Sequence, residues 1–152
     1  MLVHSAAVLV GAAAFLFMGQ SGSGKSTVVS LSQGRDRSVA LSDDLVLLRY
    51  TDNGWQVFGT PFWNLQAGAR DGQTASGRAQ AIYKLVQDRE VFVEPMSMAT
   101  AAAELLANCP IINSQPALLA DLMVRCRDIA KAVGAQRLHF RKDAAFWEII
   151  AC

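Results

Sequence analysis

The chain has 152 residues, 52% of them apolar, and a formal net charge of +1. These values exclude a disordered chain and a strongly basic nucleic-acid binder, and they allow one domain with a sizeable core. Three cysteines, Cys109, Cys126 and Cys152, are odd in number and widely spaced. That argues against a disulfide framework or a zinc site and for a reducing compartment.

Leu2 to Val10 reads as a strand, Gly11-Ala12 as a tight turn, and Ala13 to Met18 as a second, apolar strand. The apolar stretch Ala6 to Met18 lacks a preceding Lys or Arg and is too short to span a bilayer, so a leader or membrane segment is not expected there. The expectation is a cytoplasmic protein.

Directly after the second strand stands Gly19-Gln20-Ser21-Gly22-Ser23-Gly24-Lys25-Ser26, followed by Thr27. It fits the phosphate-loop pattern G-x-x-x-x-G-K-[ST] without a mismatch. Glycines let successive backbone N–H groups turn inward toward phosphate oxygens. A lysine at that place reaches the β- and γ-phosphates, a serine hydroxyl ligates magnesium, and the following helix adds its positive end. Gly19, Ser21, Gly22, Ser23, Gly24, Lys25, Ser26 and Thr27 are therefore the candidate residues for binding a nucleoside triphosphate. A flexible Gly/Ser linker would need neither the Lys-Ser end nor the apolar strand in front.

The helix is expected to end near Gln33-Gly34, and Arg35 to Ser38 to connect it to a short strand, Val39 to Leu41. Asp43-Asp44 follows, 17 residues beyond Ser26. Phosphoryl transfer needs a carboxylate for magnesium and, with a hydroxyl acceptor, a base. Neighbours on a strand point to opposite faces, so both can serve one site only if the strand ends between them. Leu45 to Tyr50 and Trp55 to Phe58 form a hairpin around Thr51-Asp52-Asn53-Gly54.

From Asn64 to Arg78 the sequence reads as a long glycine-containing loop, with Arg70 and Arg78 as candidates to clamp phosphate or acceptor. Phe62 and Trp63 read as core residues. Ala79 to Val86 and Val91 to Glu94 look like a hairpin turning at Gln87 to Glu90. A helix capped by Ser97 runs through Ala107. A second begins at Pro116 and reaches about Val133, with Leu118, Leu119, Leu122, Met123, Cys126 and Ile129 at helical spacing. Arg137 to Phe140 is a closing strand, Ala144 to Ile150 a terminal helical turn, and His139 and Trp147 are read as structural. His4 lies in an apolar strand, where a core or edge role is the ordinary one; a neighbouring strand could bring it to the phosphate end.

Val3-His4-Ser5, Gly11, Phe15 to Met18, Gly19 to Ser26 and Leu41-Ser42-Asp43-Asp44 together resemble, in order and spacing, the start of the catalytic domain of the HPr kinase/phosphorylase family. The resemblance covers Leu2 to Leu48. It implies an α/β domain related to the nucleotide-binding half of phosphoenolpyruvate carboxykinase, with a mixed sheet and flanking helices. It also implies ATP- and magnesium-dependent transfer of the γ-phosphoryl group to a serine of a protein or peptide, and a possible homo-oligomer. By that analogy Lys25 holds the phosphates, Ser26 and Asp44 hold the metal, and Asp43, assisted by His4, takes the serine proton. The family's second signature, Leu-Glu-Ile-Arg-Gly, has no counterpart in the sequence. Two other readings are a nucleotide-responsive regulatory module that transfers nothing, and a kinase of free serine or another small hydroxyl metabolite.

Overall fold

The structure is a computed structural model that describes residues 1–63, 75–110 and 116–150. Among the described residues it is a mixed α/β arrangement of eight strands and four helices. Strand β1 (Leu2–Val10) turns through Gly11-Ala12 into antiparallel β2 (Ala13–Met18), as the sequence predicts. After the glycine loop, helix α1 (Lys25–Ser32) leads to β3 (Ser38–Ser42), β4 (Leu45–Thr51) and β5 (Gly54–Phe58). Then come β6 (Ser76–Gln87), β7 (Phe92–Pro95), α2 (Met98–Ala107), α3 (Pro116–Val133), β8 (Ala135–Phe140) and α4 (Phe146–Ile150).

The sheet closes on itself. The strand order β2-β1-β4-β5-β6 returns to β2 through a parallel β2–β6 ladder, so five strands form a ring. β3 hangs off β1, and β8 and β7 extend the sheet beyond β6. This closed ring replaces the simple mixed sheet expected from the sequence. β3 and β4 lie end to end along one edge of β1: Ser42 stands opposite Ala7, and Leu45 opposite His4. Asp43 and Asp44 fill the interruption between them.

Both faces of the central strands are covered, which is why β1 and β2 read as nearly unbroken apolar runs. On β2, Ala14, Leu16 and Met18 enter one core with Ala101 and Leu105 of α2 and Cys126 and Ile129 of α3. Phe15 and Phe17 enter a second core with Val28 and Val29 of α1 and Phe146, Trp147 and Ile150 of α4. The alternation follows from the two-residue period of a strand. Trp147 is fixed further by its indole N–H, which donates to Ser32 Oγ at 3.0 Å, and by the Arg35 guanidinium 4.9 Å above its ring.

Four expectations are corrected. β6 begins at Ser76 rather than Ala79, and it does not form a hairpin with β7. Instead β8 lies between them, parallel to β6 and antiparallel to β7, because the chain crosses over through α2 and α3 before returning. Leu118 and Met123, expected on the buried stripe of α3, are half exposed, whereas Cys126 and Ile129 are buried. Phe62 is also half exposed, not core, while Trp63 packs partly against the second core. Among the described residues no helix is long and apolar enough to cross a membrane.

Candidate functional site

The glycine loop joins the C-terminal end of β2 to α1, and its shape depends on residue type. Gly22 and Gly24 have φ of 79° and 106°, in the region that favours glycine. A Cβ on Gly24 would also stand 2.5 Å from Phe140 Cζ, so β8 packs directly against the loop. Gly24 is the N-cap of α1 and offers no side-chain cap, which leaves the first-turn N–H groups directed into the loop. Ser23 N–H donates to Gln20 O at 3.1 Å and closes the turn. From β6, Gln87 Nε2 donates to Gly22 O at 2.7 Å.

Lys25 is 7% exposed, and a buried ammonium needs partners. It donates to Gly19 O at 2.7 Å and Gln20 O at 3.2 Å, gathering the loop around its own charge. Burial pushes its pKa below the ordinary lysine value, while Asp44 and Asp43 pull it back up.

The interruption between β3 and β4 sends the two aspartates to different partners. Asp43 is fully buried, and Ser26 Oγ donates to its Oδ2 at 2.9 Å. Asp44 Oδ1 lies 3.2 Å from His4 Nε2, with both side chains about one-third exposed. Ser42 holds the interruption open. Its Oγ accepts from the N–H groups of Asp44 and Leu45, both at 3.1 Å, and donates to Phe62 O at 2.7 Å. Thr60 adds a second tie, donating to Leu45 O at 2.5 Å and accepting from Phe62 N–H at 3.3 Å. The Gly59-to-Phe62 segment is thus a brace behind the carboxylates.

His4, Ser21, Gly22, Lys25, Ser26 and Thr27 line a cavity of about 400 Å³, with Gln87 and Lys142 at its wall. His4 and Asp44 also line a second hollow of about 270 Å³, bounded by Asn108, Cys109 and Pro110. A third, of about 870 Å³, lies between the loop and α2 and contains the Lys84–Glu104 ion pair. The His4 backbone N–H donates to Asn108 O at 2.6 Å, so the end of α2 is tied to the histidine.

Of the residues singled out in the sequence, the structure brings together His4, Gly19, Ser21, Gly22, Ser23, Gly24, Lys25, Ser26, Thr27, Asp43 and Asp44 around the loop. Arg78 it does not. That residue pairs with Ala13 at the start of β2, whereas the loop follows Met18, five residues along (about 16 Å of strand). Arg70 lies outside the described residues. Gln87 and Lys142 were missed because they come from strand ends far away in sequence. The clue for Gln87 is its place at the end of a strand running parallel to β2, a pairing no local pattern reveals.

The hydroxyl of Ser26 and the carboxylate of Asp43 are hard oxygen donors at hydrogen-bond distance, the set that magnesium takes. Among the described residues no cluster of three or more His, Cys, Asp or Glu could hold a metal. A magnesium ion here would complete its shell from phosphate and water oxygens, as it commonly does. The donor set and the uncapped first turn of α1 both fit a magnesium-bound polyphosphate.

No protein-family model matches the sequence, and no curated protein matches it. Among solved structures the chain is similar to the Hpr(Ser) kinase/phosphatase from Coxiella burnetii, at 14% identity and a TM-score of 0.44, covering 87% of this chain and 93% of that one.

Proposed function

We propose that this chain is an ATP- and magnesium-dependent kinase that transfers the γ-phosphoryl group to a serine hydroxyl of a protein or peptide, on a phosphate-loop domain of the HPr kinase type. One observation carries the reading: two adjacent carboxylates are divided between two tasks, Asp43 on the Ser26 hydroxyl and Asp44 on the His4 imidazole. A purely nucleotide-binding site has work for the first and none for the second.

The side-chain positions favour exchanging the roles drawn from the sequence resemblance. Ser26 and Asp43 would hold magnesium, which when bound neutralises charge on the phosphate oxygens. Lys25 and the N–H groups of the loop and of the first turn of α1 bind and orient the phosphates. Asp44 accepts the proton of the acceptor hydroxyl at a carboxylate oxygen, and His4 fixes that carboxylate's orientation. The hollow shared by His4 and Asp44 is where the acceptor hydroxyl approaches.

The test is to incubate the protein with γ-labelled ATP and a cell extract, then ask where the label goes. The expected result is label on serine of a protein, abolished in Asp44→Asn with nucleotide affinity retained. In Asp43→Asn the magnesium dependence should shift to higher concentration. Label confined to small molecules or free phosphate, or full transfer by Asp44→Asn, would overturn the proposal.

A further inference from the structure

The face of the sheet that carries His4 continues away from the glycine loop. His4 stands opposite Leu45 of β4, and both line the hollow where the proposed function brings the acceptor hydroxyl. Alternate residues of a strand share a face, so Leu45, Leu47 and Arg49 lie on the same side as His4. The ladders carry that side onward: Leu47 is opposite Leu2 and Phe58, Arg49 is opposite Gln56, and Gln56 is opposite Arg78 of β6. Two rows therefore follow the His4–Leu45 pair. The first is apolar, made of Leu2, Leu47 and Phe58, and Leu47 is 37% exposed. The second is Arg49, Gln56 and Arg78, with both arginines exposed.

These two guanidinium groups carry uncompensated charge. Among the described residues neither takes part in an ion pair, whereas Arg125, Arg127, Arg137 and Arg141 each do. They stand two strands apart, roughly 10 Å, with the neutral Gln56 between them. A guanidinium presents a planar fork of donors that matches a carboxylate.

We infer that this face docks the acceptor polypeptide: an apolar side chain of the acceptor covers Leu47 and Phe58, and acidic residues farther along pair with Arg49 and Arg78. The inference rests on the function proposed above and names the class of acceptor, a segment with carboxylates to one side of its serine. Arg49 is four residues beyond Leu45 along β4, about 13 Å, which an extended peptide spans in about four residues. The acidic residues therefore lie about four positions from the serine and the apolar one about two. Arg78, unsuited by its distance to gripping phosphate at the loop, is suited to this task.

The surface favours a polypeptide over a nucleic acid or an anionic membrane. The chain's net charge is only +1, too small to steer a polyanion. The cationic row is short, and an apolar row separates it from the hollow, as in a protein interface with an apolar centre and a polar rim.

The probe is a fluorescent peptide built to that spacing, with serine, leucine and a glutamate pair, titrated into the full chain at near-physiological salt and read by anisotropy. Saturable binding is expected, weakened about tenfold in Arg49→Gln/Arg78→Gln by loss of two exposed charge pairs. Changing the glutamates of the peptide to lysine should weaken binding to the wild type as much, and Arg49→Glu/Arg78→Glu should prefer the lysine peptide. That reversal also shows the variant to be folded. A wild type that ignores the glutamate peptide, equal affinity in the glutamine variant, or preference for an oligothymidylate or phosphatidylserine vesicles over the peptide would overturn the inference. Where the peptide is phosphorylated, the glutamine variant should raise its KM and leave kcat and ATP affinity unchanged. Charge-dependent binding without transfer counts against the proposed function and leaves the docking surface standing.

Discussion

Gly24 has φ 106° and no room for a methyl group, with Phe140 Cζ 2.5 Å from where a Cβ would stand. Gly11, at φ 62°, has nothing within 4 Å of that point. Replacing each with alanine separates backbone cost from collision. Gly11→Ala should lose about 1 kcal/mol of stability. Gly24→Ala should lose more, about 1–3 kcal/mol in addition for overpacking, and should weaken nucleotide binding; equal unfolding midpoints in the two variants would contradict this. Lys25→Ala removes a charge-assisted contact, so ATP affinity measured by calorimetry should fall by about 1.5–3 kcal/mol. Undiminished affinity would remove Lys25 from the site. These residues were legible in the sequence because the glycine loop is local: eight consecutive residues specify both its turn and its charge. Asp43 and Asp44 were legible as a pair, but that one meets Ser26 and the other His4 was not. It depends on Ser42 and Phe62, which meet only in the folded chain.

Strand β8 lies between β6 and β7 and pairs with both. From it, His139 reaches Asp88 Oδ2 with Nδ1 at 2.9 Å and Glu94 Oε2 with Nε2 at 3.3 Å, while its ring stacks on Phe92 at 4.0 Å between centroids. The hydrogen bond from His139, then those from the N–H groups of Arg89 and Glu90, hold the Asp88 carboxyl below its ordinary pKa. A carboxylate depressed in the folded state adds stability above its unfolded pKa and loses it as pH falls through the folded one. Below about pH 4 the unfolding midpoint of the wild type should therefore drop more steeply than that of His139→Phe. Parallel curves would show that the clamp carries no linkage. The sequence reading of His139 as structural agrees with this clamp, but the pairing of β6 with β7 did not survive. The reason is physical: a hairpin is signalled by its turn, whereas a strand inserted from 50 residues downstream has no such marker. The α3 stripe failed differently, since helical spacing identifies a face without saying how much of it a neighbour covers.

At the scale of the whole molecule, ring closure is the feature that sequence periodicity leaves unwritten. β2 and β6 are far apart in the chain, and their parallel ladder follows from the crossover of everything between them. Gly77 sits at the closure, where an added Cβ would lie 2.2 Å from Leu9 Cδ1 and 2.8 Å from Ala12 O. Gly77→Ala should lower the denaturant midpoint by an amount equivalent to about 1–3 kcal/mol, with the slope of the transition unchanged. A shallower slope with the same midpoint would mean that the ring had opened instead.

The self-contacts of the glycine loop have a consequence for ligands. Lys25 grips two carbonyls, and Gln87 a third, so the contour of the crevice is held by the chain's own contacts. Under the proposed function, an arriving anion would exchange partners with the ammonium instead of moulding the backbone around itself. On the same reading, recognition would be governed by fit to that receptacle, and a bare pyrophosphate, without base or sugar, should bind to it.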